Sequence, residues 1–250
     1  MTVNTETVDT VLVITLNRPQ ARNAINHATA LAVSAALDRL ESDPSLTAAV
    51  LHGAGGHFCA GMDLRAFAAG EDIPVIGEQG LAGLTRRPLT KPLLAAVEGY
   101  AVAGGFELAL ACDLIIAAQS AQFGLPEVKR GLIAGEGGVT RLPQRLPHHI
   151  AMELLLTSDP LPAATAASYG LVNRVVPDGE ALAVALELAA RISRNAPLAL
   201  AAVKQIVRPA IERDAFAIQD PWYHKVSASM DAREGAAAFS EKRAPRWQGC

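Results

Sequence analysis

The sequence predicts an α/β core followed by a helical C-terminal region. In the first two-thirds of the 250 residues, short apolar segments at 11–16, 48–52 and 93–97 alternate with segments of helical periodicity. The last third is mainly helical in pattern. Such alternation is typical of a largely parallel sheet covered by helices. We therefore assign residues 1–195 to an α/β core and 196–250 to a helical oligomerisation region or small subdomain, within one functional domain.

Local signals support the first elements. Residues 11–16 are β-branched and aliphatic, and Pro19 follows the end of this strand. A helix is predicted over 27–41 because Asn26 is a favourable N-cap and apolar residues recur at helical spacing behind it. The core-facing residues of this helix are predicted to be Val33, Ala36, Leu37 and Leu40.

The later elements follow the same reasoning. Further strands are predicted at 113–118, 122–123 and 171–176, and long Ala-rich helices at 180–195 and 198–207. Residues 67–80 contain three glycines and a proline without a clear period, which predicts a mobile loop. Residues 99–105 are predicted to form a loop, with a helix from Phe106.

Composition excludes several classes of function. A formal net charge of −3 indicates no strongly basic face for binding nucleic acid. The polar first ten residues do not resemble a secretory signal, and Glu107 and Asp113 interrupt the longest apolar stretch, so no membrane span is expected. Three cysteines without a CxxC pair predict neither a disulfide framework nor a metal site. These features favour a cytoplasmic protein.

Two glycine-containing loops each follow a predicted buried strand. Residues 53–58 do not fit the GxGxxG pattern, since Phe58 stands at the third glycine. Residues 99–107 lead into a helix, and Gly104 and Gly105 would let a ligand oxyanion approach the N–H groups there. Residues 57–64 have the same character and offer a second N–H. Taken alone, these glycines are better explained by tight packing of a strand against a helix.

Two glutamates are the candidate acid–base groups. Glu107 lies in the apolar run 106–111, where burying a carboxylate is costly unless it has a partner or a function. Glu127 follows Pro126 in a turn. If both face one cavity, each raises the proton affinity of the other, and unequal burial would divide the roles of base and acid. The alternative is that Glu127 caps a helix and Glu107 pairs with an arginine.

Together these segments resemble the enoyl-CoA hydratase/isomerase family, also called crotonases. The resemblance extends from about residue 10 to the end of the sequence, in the family's order. The matching segments are LNRPQARNAI (16–25), FCAGMDL (58–64), EGYAVAGGFELALACDLIIA (98–117), AQFGLPEVKRGLIAGEGGVTRL (121–142), AASYGLVNRVV (166–176) and AFSEKRAPRW (238–247).

The resemblance implies a crotonase-like spiral of ββα units with a helical C-terminal trimerisation region. It also implies a homo-trimer or a hexamer built as a dimer of trimers. The implied reaction is the reversible addition of water to a 2-enoyl-CoA, which gives a 3-hydroxyacyl-CoA. No cofactor is implied, because coenzyme A is part of the acyl-CoA thioester substrate.

The resemblance also assigns roles to residues of this chain. Glu107 and Glu127 fall at the two glutamates of hydratases, and the N–H groups of Met62 and Gly104 fall at the oxyanion hole. Gly135 matches a residue whose backbone helps to hold the water. The coenzyme A path would be lined by Ala60, Asp63, Leu64 and Arg65.

Three residues depart from the family pattern. Ala103 replaces the first glycine of a triple-glycine stretch, a methyl group that we expect to be tolerated, and Ala134 replaces a common proline. Glu136 stands where hydratases often have alanine, and this third carboxylate would shift the pKa values of the glutamates or select a polar acyl group. Alternative functions are carnitinyl-CoA dehydration, enoyl-CoA isomerisation or non-catalytic acyl-CoA binding. The presence of both glutamates argues against the last of these.

Overall fold

A computed structural model describes residues 1–212, 215–246 and 248. The strands are β1 (Val3–Val8), β2 (Val11–Leu16), β3 (Ala48–Gly53), β4 (Leu93–Val97), β5 (Tyr100–Val102), β6 (Leu114–Ala118), β7 (Gln122–Gly124), β8 (Leu161–Pro162) and β9 (Arg174–Val176). The α-helices are α1 (His27–Ser42), α2 (Leu64–Ala68), α3 (Gly104–Ala111), α4 (Gly138–Arg145), α5 (His148–Thr157), α6 (Ala163–Ser168), α7 (Ala181–Ile192), α8 (Pro197–Glu212), α9 (Ala215–Ser227) and α10 (Met230–Glu241).

The main sheet has the strand order β1-β2-β3-β4-β6-β9, in which only the β1–β2 pair is antiparallel. A second layer runs beside it. Its strands β5 and β7 pair in parallel, and isolated bridges join Ile25 to Met62 and Cys59 to Ala101. Each of β2, β3, β4 and β6 is therefore followed by a short segment in the second layer and then by a helix, as the predicted spiral of ββα units requires.

Helix α1 and its core face are confirmed. The Asn26 side chain accepts a hydrogen bond from the N–H of Thr29 at 3.1 Å, which satisfies one of the unpaired donors at the helix start. All four predicted core residues of this helix are buried. Burial of a leucine or valine side chain stabilises the fold by roughly 1.5–3 kcal/mol, so this face fixes the helix on the sheet.

The structure differs from the predicted elements in several places. Strand β1 was not predicted, because only Val3 of its six residues is buried and the pattern does not alternate. The last strand begins at Arg174 instead of Leu171, since the side chain of Asn173 accepts from the N–H of Ile115 and replaces a backbone ladder bond. The predicted loop 99–105 contains β5, and α3 already begins at Gly104.

The predicted helical C-terminal region is confirmed for its described residues, which form α8, α9 and α10. Positions 213–214, 247 and 249–250 lie outside the described residues. The boundary at residue 195 and the mobility of 67–80 stay predictions. Among the described helices, none combines the length and the apolar character needed to cross a membrane.

Candidate active site

Glu107 lies in the first turn of α3 and is 4% exposed. Its Oε1 accepts hydrogen bonds from the backbone N–H of Glu136 at 2.7 Å and of Gly138 at 2.9 Å. The alternative that Glu107 pairs with an arginine is therefore wrong for the part of the chain described. Glu107 is buried among apolar residues, as predicted, and the two backbone N–H donors offset the cost of burying its carboxylate.

Glu127 begins a 3-10 helix, Glu127–Arg130, directly after Pro126. Its Oε2 is enclosed by protein and has no hydrogen-bond partner among the described residues. The cap position of this helix is Pro126, so the side chain of Glu127 is not its N-cap. A buried carboxylate oxygen without a partner is rare in folded proteins and marks a place where a polar ligand or water can bind.

The two carboxylates influence one another. Burial is the largest effect on Glu107 and raises its pKa, and the neighbouring charges of Glu127 and Glu136 raise it further against the opposing effect of the two N–H donors. Burial also raises the pKa of Glu127, partly offset by its own backbone N–H and by Arg130. Near neutral pH such a pair can hold and exchange a proton, which is what acid–base chemistry requires.

Two backbone N–H groups lie close together near the start of α3, the helix that carries Glu107. Hydrogen bonds from Ile25 N to Gly61 O and from Asp63 N to Ile25 O, both 2.8 Å, frame Met62 but leave its own N–H without an acceptor in the described chain. The N–H of Gly104, at the start of α3, likewise has none there. A Cβ built at Gly104 would lie 3.7 Å from Met62 N, so the two loops are in direct contact.

The packing explanation of the glycine loop is confirmed, and the oxyanion role stays a prediction. A Cβ at Gly105 would lie 2.1 Å from the carbonyl oxygen of Cys59, and one at Gly104 would lie 2.6 Å from Cδ2 of Leu81. The glycines thus allow close packing of strand, loop and helix. The same packing places the first N–H groups of α3, where the helix dipole is positive, at the junction of the loops.

Ala103 does not fit this turn as freely as expected. It adopts φ 53° and ψ −133°, a backbone conformation that glycine tolerates and alanine rarely adopts. Residues held in such regions cost roughly 1–3 kcal/mol each. The expectation that the methyl group is tolerated stays a prediction, and the turn that it occupies is strained.

The residues predicted for the coenzyme A path share one segment. Ala60 donates its N–H to Arg22 O at 3.0 Å, and Asp63 is the N-cap of α2 and pairs with Arg18 at 2.7 Å. Leu64 is half-buried at the start of α2, and Arg65 is exposed on it. This segment flanks Met62, whose N–H is one of the two groups without an acceptor in the described chain.

Gly135 and Glu136 connect the glutamate pair to distant parts of the chain. The carbonyl oxygen of Gly135 accepts from Nε2 of Gln219 at 2.5 Å and from Arg86 at 3.3 Å. The carboxylate of Glu136 accepts from Thr85 Oγ1 at 2.6 Å and from the N–H of Leu81 at 2.9 Å, with Arg86 3.6 Å away.

Sequence reasoning missed Arg86 and Gln219, together with Asp220, which binds Arg86 through two contacts of 2.9 Å. These residues lie up to 134 positions apart, and single charged or polar side chains in a helical pattern carry no signal of a shared site. The negative charge of Glu136 raises the pKa of Glu107, as expected. The carboxylate of Glu136 itself is held by Thr85 and by the N–H of Leu81.

The enoyl-CoA hydratase/isomerase family matches residues 6–250. The chain belongs to this family. An enoyl-CoA hydratase of Mycobacterium tuberculosis is 44% identical over 249 residues, covering 95% of this chain and 92% of that protein. A carnitinyl-CoA dehydratase of Proteus mirabilis is 45% identical over 249 residues, covering 96% and 95%. The crystal structure of a carnitinyl-CoA hydratase from Mycobacterium avium superposes with a TM-score of 0.95 at 45% identity, covering 100% of this chain and 99% of that one.

These similarities establish a crotonase fold and a hydratase or dehydratase type of enzyme acting on acyl-CoA thioesters. They do not separate the two reactions, because relatives of both names are equally similar to the chain.

Proposed function

We propose that this enzyme catalyses the reversible hydration of 2-enoyl-CoA thioesters to 3-hydroxyacyl-CoA. The observation that carries the proposal is the pairing of buried Glu107 with half-buried Glu127, both with raised pKa values, near two backbone N–H groups that have no acceptor in the described chain. Acid–base groups and oxyanion donors in one place are what the addition of water to a conjugated thioester needs.

In the proposed mechanism, the thioester carbonyl oxygen accepts hydrogen bonds from Met62 N and Gly104 N. Water attacks C3, the electrons of the C2=C3 bond move toward the carbonyl, and negative charge grows on its oxygen. The two donors stabilise that charge more in the transition state than in the substrate. The attacking water gives a proton to one glutamate, and C2 receives a proton from the other, so the pair ends with its original number of protons.

The hydrogen bonds favour a division of roles. The raised pKa of Glu107 makes it a stronger base, and two N–H donors stabilise its ionised form, which suits it to orient and deprotonate the water. Oε2 of Glu127 has no competing partner, which suits it to carry the proton to C2. Gly135 adds a backbone contact to the water. No metal or redox cofactor takes part in this proposal, because coenzyme A belongs to the substrate and residues 60–65 would line its path.

The proposed assembly is a trimer or a hexamer formed through the C-terminal helices. Apolar side chains on α8 are exposed in the single chain, and exposed apolar patches often mark association surfaces. They are Leu198, Val203, Ile206 and Val207. Light scattering should give at least three times the 26.1 kDa mass of one chain, and Ile206→Glu should reduce it; a wild-type monomer at assay concentration would contradict the assembly.

A second candidate is the dehydration of carnitinyl-CoA, supported by relatives of that name at about the same identity. The same groups would act in the reverse direction, removing a hydroxyl from C3 and a proton from C2. The acyl group would differ by its quaternary ammonium. Glu136 adds a carboxylate near Glu107, although Arg86 lies 3.6 Å from it and partly neutralises its charge.

The test compares kcat/KM for crotonyl-CoA hydration and for carnitinyl-CoA dehydration, with Glu127→Gln as the inactive control for both. A higher value for crotonyl-CoA supports the first proposal, and a higher value for carnitinyl-CoA supports the second. No turnover of either substrate, combined with tight binding of saturated acyl-CoA, would instead indicate a non-catalytic binding protein.

A further inference from the structure

The peptide unit between Gly135 and Glu136 is hydrogen-bonded at both ends, to the carboxylate of Glu107 and to the side-chain amide of Gln219. Its N–H donates to Oε1 of Glu107 at 2.7 Å, and its carbonyl oxygen accepts from Nε2 of Gln219 at 2.5 Å. A donor at the carbonyl polarises a peptide group and strengthens the hydrogen bond that its N–H donates. Gln219 on α9 is thus one peptide unit away from the carboxylate of Glu107.

The side chain of Gln219 is held in a defined orientation. It is 5% exposed, and its contact with a carbonyl oxygen requires the nitrogen, not the oxygen, of the amide to point at Gly135. A buried amide is costly unless it is bonded, and a methionine or leucine would fill this volume without that cost. Its Oε1 has no partner among the described residues, so the contact with Gly135 is the main compensation.

Two neighbours keep this contact in place. The ring of Tyr223, one turn further along α9, packs on Gly135, where a Cβ would lie 2.1 Å from ring atom Cδ2. Arg86 approaches the same carbonyl oxygen at 3.3 Å and binds Asp220 on α9. Helix α9 therefore contacts the segment around Gly135 through the hydrogen bond of Gln219 and the ring of Tyr223. It also forms an ion pair with Arg86 through Asp220.

We propose that Gln219 is a positioning residue that holds Glu107 in its catalytic orientation through the Gly135–Glu136 peptide. This inference rests on the proposed function of Glu107. It extends that function by giving α9 a part in catalysis: the helix orients the water-handling carboxylate without touching substrate.

Loss of the Gln219 donor should raise the pKa of Glu107. Without the Gln219 donor, the N–H of Glu136 is a weaker donor, and the charged form of Glu107 loses stabilisation. The rate limb that requires ionised Glu107 then moves to higher pH. Other charged and titratable groups around this network stay in place, so they do not produce the shift. They are Glu127, Glu136, Arg86, Arg141, Asp220 and Tyr223.

The experiment uses Gln219→Met, which keeps the side-chain length and removes the amide. Ala217→Met, at an exposed position on the same helix, is the matched control. We expect kcat for crotonyl-CoA to fall about 10- to 100-fold in Gln219→Met, the scale of a misplaced catalytic group. The acidic limb of kcat/KM should move up by on the order of 0.5 pH unit. Affinity for saturated acyl-CoA should stay within about twofold of wild type, the span of near-neutral changes.

Two outcomes would overturn the proposal. One is a folded Gln219→Met enzyme with the wild-type rate and pH profile. The other is a lower rate with an unchanged pH profile and a lower melting temperature, since that is what loss of packing alone produces.

A titration that does not depend on turnover separates this inference from the proposed reaction. The carboxyl carbon of Glu107, labelled with carbon-13 and assigned by its absence in Glu107→Gln, should titrate at higher pH in Gln219→Met than in wild type. If the wild-type enzyme turns over no enoyl-CoA but this difference is present, the proposed function fails and the positioning contact stands. If the two titrations coincide, the positioning contact is refuted even in an active hydratase.

Discussion

The backbone N–H of Glu136 lies 2.7 Å from Oε1 of Glu107. Residue 136 thus acts on the active site through its main chain, while its carboxylate points to Thr85 and the N–H of Leu81. Any side chain at 136 would keep the main-chain contact. The side chain of Glu136 additionally connects this residue to the loop that contains Leu81. Leu81 in turn packs on Gly104.

Glu127→Gln should slow hydration about 100- to 10,000-fold, the usual contribution of a general acid or base. Glutamine keeps the shape of the side chain, and Oε2 of Glu127 has no partner to lose, so the folded structure should be unchanged. The measurement is kcat for crotonyl-CoA, together with the affinity for butyryl-CoA, which should be nearly that of wild type. Turnover close to wild type would remove Glu127 from the mechanism.

Helix α1 and the buried position of Glu107 were predictable because their signals are local. Asn26 and the apolar spacing behind it define α1, and a lone glutamate in the run 106–111 marks Glu107 without any knowledge of the fold. The contacts that hold Glu107 were not predictable. They come from the backbone of residues 136 and 138, and backbone N–H groups have no sequence signature.

The strain at Ala103 illustrates a second limit. Its sequence context shows only a missing glycine, whereas the positive φ is a consequence of how β5 turns into α3. Gln219 illustrates a third, since its partner Gly135 is 84 positions away. Such contacts depend on how the C-terminal helices fold back on the core, which periodicity does not encode.

Ala103→Gly should stabilise the protein by about 1 kcal/mol, because glycine relieves the strain at φ 53°. Part of that gain is offset by the greater entropy of glycine in the unfolded chain. For a chain of this size the melting temperature should rise by roughly 2–4 °C. Ala164→Gly, at an exposed position of α6, is the control and should lower it. A lower melting temperature in Ala103→Gly would show that the turn is not strained.

The stability of the protein should depend on pH because of the same two glutamates. Both have a pKa in the folded state above the ordinary value of 4.5. The unfolded chain therefore ionises them first, so their stabilising contribution is complete below pH 4.5 and is lost as pH rises through the folded-state pKa values. Glu127→Gln removes one of these groups.

We therefore expect the difference in melting temperature, Glu127→Gln minus wild type, to increase as pH rises from 5 toward about 8. Glu234 is a suitable comparison because the neighbouring Arg243 side chain lowers its pKa, the opposite direction. Glu234→Gln should not reproduce the trend. A difference that stays constant across this range would mean that Glu127 has the same pKa in the folded and unfolded protein.

The proposed oxyanion hole gives the last prediction: Gly104→Pro should lower the rate by about 100- to 1,000-fold, because proline has no N–H to donate to the thioester oxygen. The first position of a helix accepts the fixed φ of proline, so α3 can still form. The added carbon atoms would contact Leu81, whose Cδ2 lies 2.6 Å from a Cβ at this position. The comparison therefore belongs in a Leu81→Ala background, with Gly104→Ala as the variant that adds a Cβ and keeps the N–H.

In that background, single-turnover rates at saturating crotonyl-CoA should rank Gly104→Ala above Glu107→Gln, and Glu107→Gln above Gly104→Pro. Glu107→Gln keeps Glu127 and both N–H donors, so part of the activity should survive. Only variants with matching thermal stability enter the ranking, because proline also restricts Ala103 before it. Equal rates for the alanine and proline variants would show that the N–H of Gly104 does not bind the thioester oxygen, and the stabilisation of the enolate would then have to come from Met62 and other donors.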